Sequence, residues 1–209
     1  MSIDKKSRKT RTRRSPEASR DNILTSAEAL LLEKGPQALK LADVAARAGI
    51  AHATVLHHFG SIADVQTALM ERMIRQLVDQ VLEAHKLDAK SERHSEAGLR
   101  ALFDAFGARG AARLAAWLEL TGESRRLTTV RDAVRTVVAS HAERVAVTPP
   151  LAEEQVLINV ALAMGVGLFG RSLAELMGKP AGTTRQLALD LVRNLMAAKP
   201  APRQPKRKR

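Results

Sequence analysis

An all-α fold is predicted for this chain of 209 residues. Three observations carry the expectation. Apolar residues recur every three or four positions through nearly every segment, and no stretch alternates apolar and polar side chains as a half-buried strand does. The periodic segments are interrupted at Gly-Pro, Gly and Pro-Pro sites, where helices stop. Hydrophobic residues make up 45% of the chain, enough at this length to bury a substantial core.

A first helix is expected over residues 19–34, with Ile23, Leu24, Ala27, Leu30 and Leu31 inward, ending at Gly35-Pro36. Leu41 to Phe59 then reads as two short helices hinged at a glycine. Leu41, Val44, Ala45 and Ala48 share one face of the first. Gly49 stands where that helix must stop, at a position favouring the left-handed backbone that glycine adopts cheaply. Ile50 is expected as a buried plug, and Val55, Leu56 and Phe59 as the apolar side of the second helix. Two small helices about a glycine turn are the shape that presents the second to a DNA major groove.

Ser61 opens a connecting helix, with Asp64 three residues on in a capping-box-like arrangement. Val65, Leu69, Met73, Leu77 and Val81 repeat every four residues and carry it to about residue 84. Lys86 to Ser95 is polar and reads as a joint. Five more helices are expected near 95–108, 110–120, 127–145, 151–177 and 181–198, separated by Gly107–Gly110, Thr121–Arg126, Thr148-Pro149-Pro150 and Gly178-Lys179-Pro180. The expected organisation is a basic arm (1–18), a helix-turn-helix head with its connecting helix (19–84), a larger helical body (85–198) and a basic tail (199–209).

Charge is distributed unevenly. The net charge is +12, and residues 1–14 hold seven basic side chains against one acid while residues 199–209 hold six and none. The segment between them is neutral. Such tails have little to bury and can simply aid solubility; the N-terminal arm, which abuts the DNA-binding head, is expected to contact phosphates or a minor groove, while nothing in the sequence places the C-terminal Lys206-Arg207-Lys208-Arg209 near DNA. Cysteine is absent, which excludes disulfides and thiolate metal sites. Aromatic content is 2% without any tyrosine, so stacking platforms for single strands are not expected. The basic N-terminus lacks a following apolar h-region, and the apolar run Val156–Gly170 is too short to span a bilayer and contains Asn159. A cytoplasmic protein without a membrane partner is expected.

The candidate DNA contacts cluster at the start of the second hinge helix. Ala51, His52, Ala53 and Thr54 face the groove, where a helix N-terminus offers free amides and partial positive charge. The Thr54 hydroxyl suits a phosphate or a base edge, and its methyl suits a thymine methyl. His57 lies about one turn on and His58 lies off that line. His52, His57 and His58 lack the i, i+4 spacing that aims two imidazoles at one metal, so no metal site is expected.

Residues 19–84 resemble the DNA-binding domain of the tetracycline-repressor (TetR) family. The resemblance is carried by Ile23-Leu24, Ala27, Glu33-Lys34-Gly35, Asp43-Val44-Ala45, Ala48-Gly49-Ile50, Thr54-Val55, His57-His58-Phe59 and Ser61. It implies a three-helix DNA head, a connecting helix and a body that binds a ligand and dimerises. Three positions depart from the family's habit. Lys40 stands where Ser or Thr is usual before Leu41, Ala51 replaces a small hydroxyl residue, and Leu56 replaces a tyrosine. Lys40 can restore a phosphate contact as a point charge, and Leu56 can turn inward or meet a thymine methyl. Residues 15–84 carry six basic and nine acidic side chains. Affinity is therefore expected to lean on the arm through Arg11, Arg13 and Arg14. Deleting residues 1–14 is expected to weaken DNA binding and flatten its salt dependence.

In the body, Val156–Gly170 is apolar nearly all round and should be covered on both sides. Its glycines at 165, 167 and 170 fit either close approach of another helix or a kink beside a pocket. The resemblance implies that helices 151–177 and 181–198 pair with a second subunit as a homodimer. It also implies a cavity, with Phe103, Phe106, Trp117, Leu120, Met164 and Phe169 as bulky lining candidates that equally suit plain core, and His141 and Asn159, with Glu119, as polar ones. The poverty of aromatic and charged groups points to a lipophilic effector. The function expected is a homodimeric transcription regulator, a repressor released from a palindromic operator by a small molecule. The alternative is a constitutive, architectural DNA binder whose body only dimerises. No cofactor is expected. An enzyme is not expected either, since the sequence has no Gly-rich phosphate loop, nucleophile–base pair or paired carboxylates.

Overall fold

The computed structural model describes residues 15–86, 92–125, 127 and 131–197. Among these residues the structure is all-α, with helices α1 (Pro16–Lys34), α2 (Leu41–Ala48), α3 (His52–Phe59), α4 (Ile62–Lys86), α5 (Glu92–Phe106), α6 (Ala111–Leu120), α7 (Arg131–Val145), α8 (Pro149–Leu176) and α9 (Thr183–Ala197), and no strand.

Helix α1 starts three residues earlier than its apolar pattern suggests. The Ala18 N–H donates to Ser15 Oγ (3.1 Å), and Pro16 occupies the first turn, where its missing N–H costs nothing. Residues 15–18, expected in the arm, therefore cap and open a helix. At the other end Gly35 takes φ 86° and a short 3-10 turn, Pro36–Ala38, follows.

The hinge after α2 has the expected backbone. Gly49 is left-handed (φ 67°, ψ 36°), and the Ile50 N–H returns to the Ala45 carbonyl (3.1 Å). A Cβ at Gly49 would meet nothing within 4 Å, so glycine is needed there for its backbone freedom alone. Ile50 is half-buried against the core rather than a fully buried plug. On α3, Val55 is buried and Phe59 packs on the core, but Leu56 is 42% exposed and does not belong to the apolar side. Val55 and Phe59 are four residues apart and share the inward face, and Leu56 lies about 100° round the helix from Val55.

The head closes on the N-terminal half of α4. Ile23, Leu31, Val44, Val55, Val65 and Leu69 are fully buried together. Ser61 and Asp64 make the expected cap, the Asp64 N–H donating to Ser61 Oγ (3.1 Å) and the hydroxyl to the Asp64 carboxylate (2.5 Å). Arg72 then ties α4 to α1. Its guanidinium donates to Glu28 (2.6 Å), Thr25 (3.1 Å) and Asp21 (3.3 Å).

The body packs α5, α6 and α7 against the remainder of α4, with α8 lying on α5, α6, α7 and α9. Three boundaries differ from expectation. Helix α5 begins at Glu92, inside the expected joint, and α7 begins at Arg131. Pro149 and Pro150, expected as separators, occupy the first turn of α8 behind Thr148, because a proline at the first helical position loses no hydrogen bond. Gly167 settles its own two readings in favour of close approach: a Cβ there would lie 2.6 Å from the Phe106 carbonyl oxygen and 2.9 Å from Ala112 Cβ. Gly170 receives α9, its carbonyl accepting from the Thr184 hydroxyl (2.8 Å), whereas Gly165 meets open space.

Helix α8 is not covered all round. Leu157, Ile158, Phe169 and Leu173 are exposed, and so are Leu187, Leu191 and Leu195 at four-residue spacing on α9. With 28 residues, α8 is also long and apolar enough by length and composition to cross a membrane, against the expectation drawn from Val156–Gly170. Its packing against four other helices leaves only part of its surface for any other environment.

Candidate nucleic-acid interface

Helix α3 is held from behind. Arg20 on α1 donates to the His58 carbonyl, and its guanidinium lies 4.2 Å from the Phe59 ring centroid, clamping the C-terminal end of α3 to α1. Asn22 Nδ2 donates to the Ala48 carbonyl (2.9 Å) and fixes the end of α2. With Val55 inserted in the core, the opposite face of α3 is set outward.

That face carries most of the residues singled out from the sequence. Ala51, His52, Ala53 and His57 are exposed, Leu56 is largely so, and Thr54 is half-buried. Ala51 leads into α3 with extended backbone and no side-chain cap bond, so the first amides of α3 have no side chain of this residue to satisfy them. Lys40 is exposed at the start of α2, again with no cap bond. His58 is half-buried, with its ring centroid 5.5 Å from that of His57 in an edge-on arrangement. Arg47 is drawn away from the outward face by a two-pronged pair with Glu33 (2.6 and 2.7 Å). Arg11, Arg13 and Arg14, and the basic tail, lie outside the described residues. The outward surface thus mixes imidazoles with small and apolar side chains, and the ends of α2 and α3 are held by Asn22 and Arg20 donating to backbone carbonyls, an arrangement that leaves α3 free to lie along base edges.

Residues 23–69 match the family model described as bacterial regulatory proteins, tetR family. The head of this chain is similar to the tetR family over those residues. An HTH-type transcriptional repressor of Mycobacterium tuberculosis is 30% identical over 87 residues, 40% of this chain and 46% of that protein. An HTH-type transcriptional regulator of Mycobacterium bovis matches to the same extent. The chain thus spans about half the length of these curated relatives. Among solved structures, the multidrug binding protein EbrR, complexed with imidazole, is similar with a TM-score of 0.60 at 21% identity, over 88% of this chain and 98% of that one. A transcriptional regulator from Rhodococcus sp. Rha1 gives 0.62 at 21% identity, over 90% and 100%. At that identity the likeness concerns the fold, and it extends from the head through the body.

The body holds a partly open cavity of about 210 Å³ between α4, α5, α7 and α8. Helix α4 lines it with Ile74, Leu77, Val78 and Val81, and α5 with Leu99, Leu102 and Phe106. Helix α7 presents Val134, Val137, His141 and Arg144 from one face, and α8 adds Val156, Asn159 and Val160. Of the lining candidates named from the sequence, Phe106, His141 and Asn159 are on the wall. Phe103 is instead fully buried core, and Met164 packs against that core. Trp117 is half-buried on α6 away from the wall, Glu119 and Leu120 are exposed (Leu120 at 85%), and Phe169 is 60% exposed on the outer face of α8. Bulk alone was a poor guide, because large side chains fill cores as readily as they line pockets.

Arg144 was missed, although the signal is in the sequence. Positions 134, 137, 141 and 144 follow a three-four-three spacing, the stripe of one helix face. His141 is buried, with Nε2 2.9 Å from Gln155 Oε1. Burial holds its pKa below the ordinary value, opposed by the Gln155 hydrogen bond and assisted by the neighbouring Arg144 charge. Burial likewise lowers the Arg144 pKa.

Proposed function

We propose that this chain is a homodimeric, DNA-binding transcription regulator of the cytoplasm, a repressor whose operator affinity is lowered by a small molecule held in the body. The observation that carries the reading is α3: anchored by Val55 and Arg20, it offers His52, Ala53, Thr54, Leu56 and His57 outward from a segment matching the tetR-family model. Lys40 and the start of α3 supply phosphate contacts, Thr54 and His57 reach base edges, and Arg11, Arg13 and Arg14 follow the flanking backbone. The exposed apolar stripes of α8 and α9 supply the dimer face, which brings two heads to paired half-sites.

Helix α4 is the mechanical link between ligand and DNA. Its first half is built into the head through Val65, Leu69 and Arg72, and its second half forms one wall of the cavity. A ligand that needs a different spacing between α4 and α7 moves the head, because a helix transmits displacement along its length. Such coupling is typically worth about 1–3 kcal/mol. The cavity favours this reading over a body that only dimerises. EbrR is described as a multidrug binding protein, and a body of the same fold here supports a small-molecule effector.

Capture of genomic fragments by the full-length protein, followed by titration on the fragment recovered, tests the reading. Thr54→Ala and His57→Ala are expected to weaken operator binding by about 1–3 kcal/mol each without lowering the melting temperature. Removing residues 1–14 is expected to weaken binding and to flatten the dependence of log K on log salt. Wild-type affinity in both substituted proteins overturns the assignment of α3.

A further inference from the structure

We propose that α3 reads thymine through its 5-methyl group, with Leu56 as the specificity-determining side chain, so that the operator carries thymine where α3 enters the major groove. This inference rests on the DNA-binding reading above and specifies the base that is recognised.

The composition of α3 narrows the choice. His52–Phe59 runs His-Ala-Thr-Val-Leu-His-His-Phe, without arginine, lysine, asparagine, glutamine or an acid. Those are the side chains that single out guanine, adenine or cytosine in the major groove, by paired hydrogen bonds or a carboxylate acceptor. Two arginines of the head are engaged elsewhere. Arg20 donates to the His58 carbonyl and lies over the Phe59 ring, and Arg47 is paired twice with Glu33. The polar groups left on the outward face discriminate less. A neutral imidazole has one donor and one acceptor, and its N–H suits N7, which adenine and guanine share. The Thr54 hydroxyl suits either a donor or an acceptor edge.

An exposed leucine is ordinary on a protein surface, and Leu56 is informative through its position. Val55 is fully buried and fixes the rotation of α3. Leu56 then lies about 100° and Ala53 about 160° round the helix from it. Ala53 and Leu56, three residues apart and both exposed, form an apolar strip on the outward half of α3, next to His57. A helical leucine leans toward the N-terminus, so Leu56 covers the turn of Ala53, the end of a recognition helix that meets base edges. Of the four bases, thymine alone presents an apolar group in the major groove. A thymine facing Leu56 withdraws both its methyl and the leucine from water, and any other base sets the leucine against polar edges.

Replacing operator thymines one at a time by deoxyuridine removes the methyl and keeps base pairing. Fluorescence anisotropy of the full-length protein on the fragment recovered by genomic capture reads the effect. One or two positions in each half-site are expected to lose about fourfold in affinity, the factor that one buried methyl contributes, and the others none. Leu56→Ala is expected to bind the thymine operator several-fold more weakly and to show no uridine penalty at those positions. Leu56→Gln repeats the test with a polar side chain of similar size, and keeps it decisive if the alanine variant does not fold. Tight binding indifferent to uridine everywhere, or a penalty undiminished in the Leu56 variants, overturns the thymine assignment and leaves the DNA-binding reading standing. Recovery of no fragment above random DNA overturns both.

Discussion

His141 sits in the interior between α7 and α8, a titratable ring in a mostly apolar setting. Its unfolded pKa is near the usual value of about 6.5, and burial lowers the folded one. Below that usual value the unfolded chain binds more protons than the folded protein, so stability falls with pH. The contribution is fully present above about pH 6.5 and is lost as pH falls toward the lowered folded value. Thermal melts between about pH 7 and pH 5 are expected to show a steeper loss in the wild type than in His141→Gln, and equal slopes would remove His141 from this role. At this scale the sequence was legible where one helix decides the outcome. The outward positions of α3 follow from its period and from Val55 as the inward residue. Leu56 was legible only in part, because a leucine suits either side of a helix boundary. Arg144 was not recognised as a wall residue, because an arginine on an amphipathic helix is ordinarily solvated and only the approach of α4, α5 and α8 encloses it.

Helix α8 shows how an element is shaped by its neighbours. Gly167 lies where the end of α5 and the start of α6 press on α8, with no room for a methyl group. Gly167→Ala is expected to destabilise the fold by about 1–3 kcal/mol, since the clash outweighs the roughly 1 kcal/mol that alanine gains in helix propensity. Chemical denaturation measures this, and an unchanged or raised midpoint would mean the α5–α8 contact is loose. Helix ends were legible to the extent that their chemistry is local. Gly35, Gly49 and the Ser61–Asp64 cap act through bonds within a few residues. The start of α1 was misjudged because Ser15-Pro16 was outweighed by an apolar pattern that begins later, and Pro149-Pro150 because a proline pair both ends and opens helices. The glycines of α8 left two readings open, and distances to Phe106 and Ala112 separate them.

The whole molecule sets the exposed face of α3 in the head and uncovered apolar side chains on α8 and α9 in the body. Leu187, Leu191 and Leu195 on α9 and Ile158, Phe169 and Leu173 on α8 are exposed on two helices that pack together, apolar surface that a second copy would bury. Leu191→Glu is expected to give a monomer in analytical ultracentrifugation and to lower operator affinity, since one head then binds one half-site. A wild-type protein that is already monomeric at micromolar concentration would remove the dimer and the paired-site geometry together. Head and body are joined twice, by α4 and by Gly110, whose missing Cβ would lie 3.5 Å from the side chains of Leu31 and Leu32 at the end of α1.

The sequence by itself determined the helical class, the glycine hinge, the outward face of α3 and the charge of both termini. These depend on periodicity, backbone preference and composition, which act over a few residues. The tertiary structure alone decided which bulky side chains are core and which line the cavity, that α8 keeps an apolar stripe uncovered, and that Arg144 meets an apolar space. Those outcomes depend on contacts between residues far apart in the chain, where burial is set by which helices meet and not by the residue's own character.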